Sequence, residues 1–374
     1  MRAPVGGLFR HVHDLALGQA ELGADVGIVC DSTAGGPESD VALHRLQDCC
    51  KLGVTRIPMA PKPHVSDWSV YRRIAKLGRS MEIDVLHGHG TKGGAYARLA
   101  GKKLRKKKTK VVYTPHGGLV HYSPSSVSGK LHFWWERRLA PLTHGLIFES
   151  MFAGNRYAEL VGRPTCPARV IYNGLQRHEF YESLLADDAV DFVYVGELRK
   201  AKGVDVFLRA LAQQQSASPA RAIIVGSGPD EKHLKRLARR LGLADKVAFA
   251  GSQPARTAFV RARCVVIPAR EESLPYIVIE AAAAQMPIIA TSAGGIPEIT
   301  GDISIPLVPP GDVDALATQL QAFLADSGPY LRHAVELQQH VADVFSTVMM
   351  TREVVDFYIT DVGAGAHRAP PADV

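Results

Sequence analysis

Residues 270–299 read REESLPYIVIEAAAAQMPIIATSAGGIPEI, and the rest of the chain is read outward from them. Seven residues separate the carboxylates Glu272 and Glu280. Ser273, Leu274 and Pro275 follow the first, then the apolar residues 276–279. Proline suits the first turn of a helix, where its missing N–H costs nothing. Glu272 is therefore expected in the loop before a helix, and Glu280 well inside that helix. Ile277, Val278 and Ile279 precede Glu280 and four alanines follow it, and a helix this apolar is mostly buried. A buried carboxylate is costly unless something hydrogen-bonds it. The free N–H groups of the first turn also make an anion site. Together these features describe amides for a phosphate and two carboxylates for hydroxyl groups. An ion pair between Glu280 and an arginine in an ordinary buried helix fits the same residues, and composition alone does not choose.

The segment ESLPYIVIE followed by AGGIPE resembles the Glu-x7-Glu signature of the retaining glycosyltransferases of family 4. The resemblance covers nearly the whole chain. It implies an α/β protein of the GT-B fold, two Rossmann-like domains facing each other across a cleft. In the family the second glutamate binds the ribose hydroxyls of the nucleotide, which here is Glu280. The first faces the donor sugar, here Glu272, and Ser273, Leu274 and Pro275 belong to the same donor loop. The implied reaction moves a hexose from a nucleotide-diphosphate sugar, a UDP-sugar by expectation, to a polysaccharide, glycolipid or lipid-linked acceptor. It retains configuration by front-face attack, with no cofactor and no essential metal.

The chain has 374 residues, room for two domains of ordinary size. At 46% hydrophobic and 22% charged residues it falls in the soluble globular class. No run of eighteen apolar residues predicts a transmembrane helix, and the N-terminus has no apolar signal core. The five cysteines, Cys30, Cys49, Cys50, Cys166 and Cys264, lack C-x-x-C spacing and read as reduced cytosolic thiols. The net charge of +7 divides into +12 over residues 1–175 and −5 over the remainder. A basic N-terminal half favours anionic partners.

Gly6 and Gly7 open the chain ahead of an apolar stripe at helical spacing, followed by a strand over residues 25–30. A glycine pair before a helix lets a phosphate approach the backbone, and a simple N-cap turn fits equally well. The resemblance places Gly6 and Gly7 at the donor diphosphate. The family has a strand before this loop, whereas this sequence starts inside it. A late start codon or a truncated protein is the expectation. Strands near residues 54–58 and 83–90 alternate with helices over 67–78 and 91–99, which argues for βαβ units and a parallel sheet.

Residues 102–110, KKLRKKKTK, carry seven basic residues in nine. They read as a solvated loop, or as a contact with an anionic membrane, where each cation gains about 1 kcal/mol. Nucleic acid is not expected, since no interleaved aromatics or recognition motif accompany the run. His116 ends the next strand in a T-P-H-G-G turn, where open α/β sheets place ligands. The resemblance puts it against the donor sugar. Residues 121–130 read as a mobile Ser/Pro-rich loop, and residues 132–135 (HFWW) as the start of a helix running to Leu139. Its aromatics, if exposed, could stack on a sugar or meet lipid, with burial in the core the expectation.

The domain boundary is expected near residue 175. Residues 1–175 would bind the acceptor and 176–345 the nucleotide sugar. A helix over 346–362 would cross back to the first domain, and 363–374 would be a disordered tail. After a strand over 191–195 comes GELRKAKG, a basic loop before a helix, suited to a diphosphate. The family has Arg directly after the first glycine and Lys before the last. Lys202 matches, Glu197 stands in the usual Arg place, and Arg199 is displaced by two. Asp312-Val313-Asp314 resembles a D-x-D metal motif, but helix capping explains it better. A sugar-nucleotide epimerase of this fold, or a non-catalytic sugar-nucleotide or membrane-binding protein, are the alternative readings. A cytoplasmic protein, at the inner membrane face if the basic run touches lipid, is the expected setting.

Overall fold

The computed structural model describes residues 1–104, 108–119, 122–214 and 220–364. It divides into two compact units, one of Met1–Gly174 with Thr347–Val374, the other of Leu175–Ser346.

In the first unit, β1 (Ile28–Asp31) pairs in parallel with β2 (Val54–Ile57). A second sheet holds β3 (Val85–His89), β4 (Lys110–Thr114), β5 (Gly145–Phe148) and β6 (Ala168–Val170) in that order, all parallel. Residues 1–4 form no named strand. They run beside β1, where Asp31 N–H donates to Arg2 O at 2.8 Å and the Met1 ammonium donates to Val29 O at 3.1 Å. The first helix, Gly6–Glu21, lays Phe9, Val12 and Ala16 on β1. Helix Thr347–Asp356 joins Leu15 in a core with Val112 and Ile147.

The second unit holds β7 (Val190–Val195), β8 (Ala222–Val225), β9 (Val247–Gly251), β10 (Ala262–Ile267), β11 (Ile288–Thr291) and β12 (Leu307–Val308). Their parallel order is β9-β8-β7-β10-β11-β12. Renumbered within the unit this is 3-2-1-4-5-6, the doubly wound order whose switch point lies between its first and fourth strands. The central strands are apolar on both faces, as helices packed on both sides require, and Phe192, Val193, Val265 and Val266 have no exposed surface. Each such side chain contributes about 1.5–3 kcal/mol by its burial.

Several expectations change. The helix after the serine run starts at Val127, not His132, because Ser126 caps it by accepting from Gly129 N–H. Part of the segment expected to be mobile is thus helical, and residues 120–121 lie outside the described residues. Trp134 and Trp135 are not core: they are 44% and 52% exposed, while Phe133, Glu136 and Leu139 take the inner face. Glu136 is the reason. It accepts both guanidinium branches of fully buried Arg98, at 2.8 and 3.0 Å, and fixes which side of the helix turns inward.

The basic run is only partly a loop. Lys102 and Lys103 end helix Gly90–Leu104 and Lys110 starts β4, while residues 105–107 lie outside the described residues, as does the tail from 365. Pro275 stands at the N-cap, one residue before helix Tyr276–Ala283, instead of in its first turn. Asp312 caps its helix through Ala315 N–H at 2.9 Å. Among the described residues, no helix is long and apolar enough to cross a membrane.

Candidate functional site

In the second unit the switch point brings two loops together. One follows β7 and runs from Gly196 to Gly203; the other follows β10 and runs from Pro268 to Pro275. Adjacent parallel strands deliver both at their C-terminal ends, where a doubly wound sheet opens a crevice. Lys202 Nζ donates to Glu272 Oε1 at 2.5 Å, joining residues seventy positions apart. Glu272 is 8% exposed, and its cation partner is what makes that burial tolerable.

Arg270 locks the two loops. Its guanidinium donates to both oxygens of Asp205 at 2.6 and 2.9 Å, and its backbone N–H donates to Ala201 O at 2.8 Å. Burial alone would raise the Asp205 carboxyl, but the Arg270 hydrogen bonds and charge outweigh it and hold it below the usual carboxylate range. Two glycines permit the close approach. A Cβ on Gly203 would lie 1.8 Å from Pro268 O, and one on Gly294 would lie 2.0 Å from Glu272 O. Both have positive φ, at 68° and 60°, so they are fixed by sterics and by conformation together. Gly295 N–H then donates to Ser273 O at 2.7 Å and seats the donor loop.

The other residues named from the sequence fall as follows. Leu274 and Pro275 are buried and Ser273 is half-buried beside Glu272. Glu280 is the fifth residue of helix Tyr276–Ala283, but it is half-buried, not enclosed. With Tyr276 and Ile277 it forms the one partly open stripe of a helix whose Val278, Ile279, Ala281, Ala282 and Ala283 are fully buried. A carboxylate on that stripe is reachable by a ligand hydroxyl. Arg199 caps the short 3-10 turn Lys200–Lys202 and lies 3.0 Å from Glu197, the residue in the usual arginine place. Its charge is thus partly met already.

In the first unit, Gly6 and Gly7 are exposed in the first turn of helix Gly6–Glu21. Its leading N–H groups have no intrahelical acceptor, as at any helix start. His116 opens the 3-10 turn His116–Leu119 after β4, with φ at 53°, a strained value for a residue with a side chain. It is 8% exposed and does not stand alone. His89 Nδ1 and His116 Nε2 lie 3.1 Å apart, and the His11 ring centroid is 4.9 Å from that of His116. His87 packs on His89 with ring centroids 3.9 Å apart and hydrogen-bonds Thr114 Oγ1 and Tyr358 OH.

Burial, and then the neighbouring rings, push His87, His89 and His116 well below the usual imidazole range. His11 is pushed down to about 4, mainly by burial, against the pull of Asn173 and Asp14. The cluster is therefore neutral at physiological pH. Sequence reading found only His116 of these four. His11 sat unnoticed in a helical stripe, and the alternation His87-x-His89 was the one available signal. The Arg270–Asp205 clamp was also missed, because Arg270 lies in the loop after β10 and Asp205 in the first turn of helix Val204–Ala212, sixty-five positions away.

The description "Glycosyl transferases group 1" matches residues 176–340, and "Glycosyltransferase Family 4" matches residues 5–178. The chain is 26% identical to the glycogen synthase of Mycobacterium tuberculosis over 385 aligned positions, which cover 95% of this chain and 91% of that protein. It is 23% identical to the N-acetyl-alpha-D-glucosaminyl L-malate synthase of Bacillus anthracis, covering 78% of each. Among solved structures, the Anabaena protein HepE in complex with UDP and glucose superposes with a TM-score of 0.79 at 18% identity, over 95% of this chain and 96% of that one. Sucrose-phosphate synthase of Thermosynechococcus elongatus superposes at 0.76 and 20% identity, over 96% and 94%.

Proposed function

We propose, from the premise that this chain belongs to the family 4 glycosyltransferases of the GT-B fold, that it moves a sugar from a nucleotide-diphosphate sugar to an acceptor hydroxyl with retention of configuration. The observation that carries this is the Lys202–Glu272 contact at the switch point of the second unit. It sets a cation for a leaving diphosphate beside a carboxylate for a sugar hydroxyl. The bond from the anomeric carbon to the diphosphate breaks and one to the acceptor oxygen forms on the same face. The acceptor proton passes to the leaving phosphate oxygen.

In the second unit Lys202, with Arg199 and helix-end amides, stabilises the leaving charge by preorganised electrostatics; in the first unit Gly6 and Gly7 offer helix-start amides to an anion. No divalent ion or cofactor is assigned to that step, and activity should survive EDTA. In the second unit Glu272 orients the sugar; in the first, a donor-sugar role is proposed for His116. Ser273, Leu274 and Pro275 shape the donor loop, and Glu280 takes the ribose hydroxyls. A UDP-sugar is the donor we favour, since the Anabaena neighbour was solved with UDP and glucose.

A thermal-shift panel of UDP- and GDP-sugars, followed by product analysis, tests the reading. It also separates transfer from epimerisation or mere binding. Glu280→Gln should weaken donor binding with little change in melting temperature. Donor affinity identical to wild type in calorimetry would sink that assignment.

For the acceptor we favour a glycan or a lipid-linked molecule at an anionic membrane surface, with the protein bound peripherally on the cytoplasmic side. Helix Asp67–Ser80 exposes Trp68 with Arg72, Arg73, Lys76 and Arg79, and Lys103 borders the same basic hollow. Helix Val127–Leu139 exposes Val127, Leu131, Trp134 and Trp135 at helical spacing, with the Arg138 guanidinium 5.1 Å from the Trp134 ring. Apolar faces flanked by cations suit an interfacial helix. Sedimentation with anionic vesicles should be strong at low salt and weak at high salt. No sedimentation at either salt would favour a soluble acceptor.

A further inference from the structure

We infer that His11, His89 and His116 form a binding site for one zinc-class divalent ion within the first unit. The three residues come from separate places in the sequence: the first helix, the last position of β3, and the turn after β4. Each offers one ring nitrogen, and the three nitrogens lie within 4.8 Å of one another. Tetrahedral zinc, with Zn–N bonds of about 2.0–2.1 Å, needs its ligand nitrogens about 3.3 Å apart. The His89–His116 separation of 3.1 Å already meets that spacing, and His11 has to close only a short gap.

His11 is the observation that asks for a ligand. It is 2% exposed, and neither of its ring nitrogens has a hydrogen-bond partner. The Asn173 carboxamide lies against the ring without hydrogen-bond geometry, and its own oxygen is also buried and unpartnered. A buried imidazole with nothing to bond costs free energy that a coordinated ion would remove. Asn173 is then placed to accept the other ring N–H, the usual support for a ligating histidine. Three neutral imidazoles suit zinc and its neighbours among the divalent transition ions far better than magnesium or calcium, which prefer oxygen. His89 and His116 keep 6% and 8% exposure, which leaves the cluster an opening.

An ion here uses the lone pair of His116 and fixes its ring. Zinc therefore competes with the donor sugar and inhibits transfer; this consequence, unlike the site itself, rests on the donor role proposed for His116 above.

The test uses full-length protein stripped of metal by a chelator, then titrated with cobalt(II) and zinc. One equivalent of cobalt should give the visible d–d absorption of a tetrahedral site, and zinc should displace it. X-ray absorption of the zinc form should show three imidazole nitrogens at about 2.0 Å. His11→Phe keeps the ring volume and removes the nitrogens, and should lower zinc affinity by at least about 100-fold. His13→Phe, at a half-buried histidine two positions on in the same helix and outside the cluster, should bind zinc as wild type does. Absence of the cobalt absorption, or zinc affinity unchanged by His11→Phe, overturns the site. If His11→Phe does not fold, the X-ray absorption of wild type decides alone. A protein that transfers sugar but binds no zinc overturns this inference and leaves the transferase reading standing. Zinc bound at the three histidines with donor affinity unaltered overturns the competition and the role of His116 instead.

Discussion

Beyond the strand ends of the C-terminal unit stand three charge pairs: Lys202 with Glu272, Arg199 with Glu197, and Arg270 with Asp205. In the N-terminal unit the corresponding ends of β3 and β4 carry His89 and His116, which cluster with His11 and His87 and are all held neutral by burial. Of the charge pairs, Arg270–Asp205 holds its carboxyl below the usual carboxylate range. Buried imidazoles trade charge for lone pairs, and their contribution to stability changes with acid. The difference shows that similar parallel sheets can set up two kinds of chemistry, chosen by loop composition and depth of burial.

The largest expected effect probes the scaffold of the N-terminal unit, which carries the histidine cluster. Glu136→Ala leaves the Arg98 guanidinium fully buried without its carboxylate, and should cost about 3–5 kcal/mol. Trp68, Trp134 and Trp135 are the only tryptophans and all lie in the N-terminal unit. Denaturant unfolding followed by their fluorescence reads that unit alone. A loss below 1 kcal/mol would mean the ion pair does not hold this helix in place.

Next comes Lys202→Ala in the C-terminal unit. On the role proposed for Lys202 at the leaving diphosphate, its removal should lower kcat/KM by about 10²–10³-fold with whichever nucleotide sugar turns over. Activity within a few-fold of wild type would move the diphosphate site away from the switch point.

Acid should then separate the units. The folded cluster has depressed imidazole pKa values, so its stability is full above about pH 6.5 and falls as the unfolded chain takes up protons that the folded one refuses. For His11 the loss continues down to about pH 4, where the folded ring protonates, and amounts to about 3 kcal/mol. Asp205 acts in a lower window. Its depressed carboxyl contributes stability above its ordinary range near pH 4, and this is lost only below that. In metal-free buffer, the denaturant midpoint of the N-terminal unit, read by tryptophan fluorescence, should fall as pH drops from about 6.5 to about 4. An unchanged midpoint over that interval would contradict the neutral cluster.

The smallest effect sharpens the comparison from the C-terminal side. Glu197→Ala frees Arg199 from its partner and should tighten donor binding by about 0.2–1 kcal/mol, the range of an exposed pair. Weaker donor binding would show that Glu197 orients Arg199 for the ligand.

The sequence alone determined the fold class, because strands bounded by glycine turns and helices at 3.6 spacing are local patterns, and because ESLPYIVIE with AGGIPE carries its chemistry in consecutive residues. It also placed Glu272 in a loop and Glu280 inside a helix, since proline and apolar runs act through neighbouring backbone. Tertiary structure alone decided the rest. Whether Trp134 and Trp135 faced core or solvent depended on Glu136 finding Arg98, thirty-eight positions away. Glu280 proved half-open because only the packing of its helix selects which stripe remains uncovered. Arg270 met Asp205 and His11 met His89 and His116 because strand order sets which distant segments touch, and that order is a property of the packed sheet, not of any short stretch of chain.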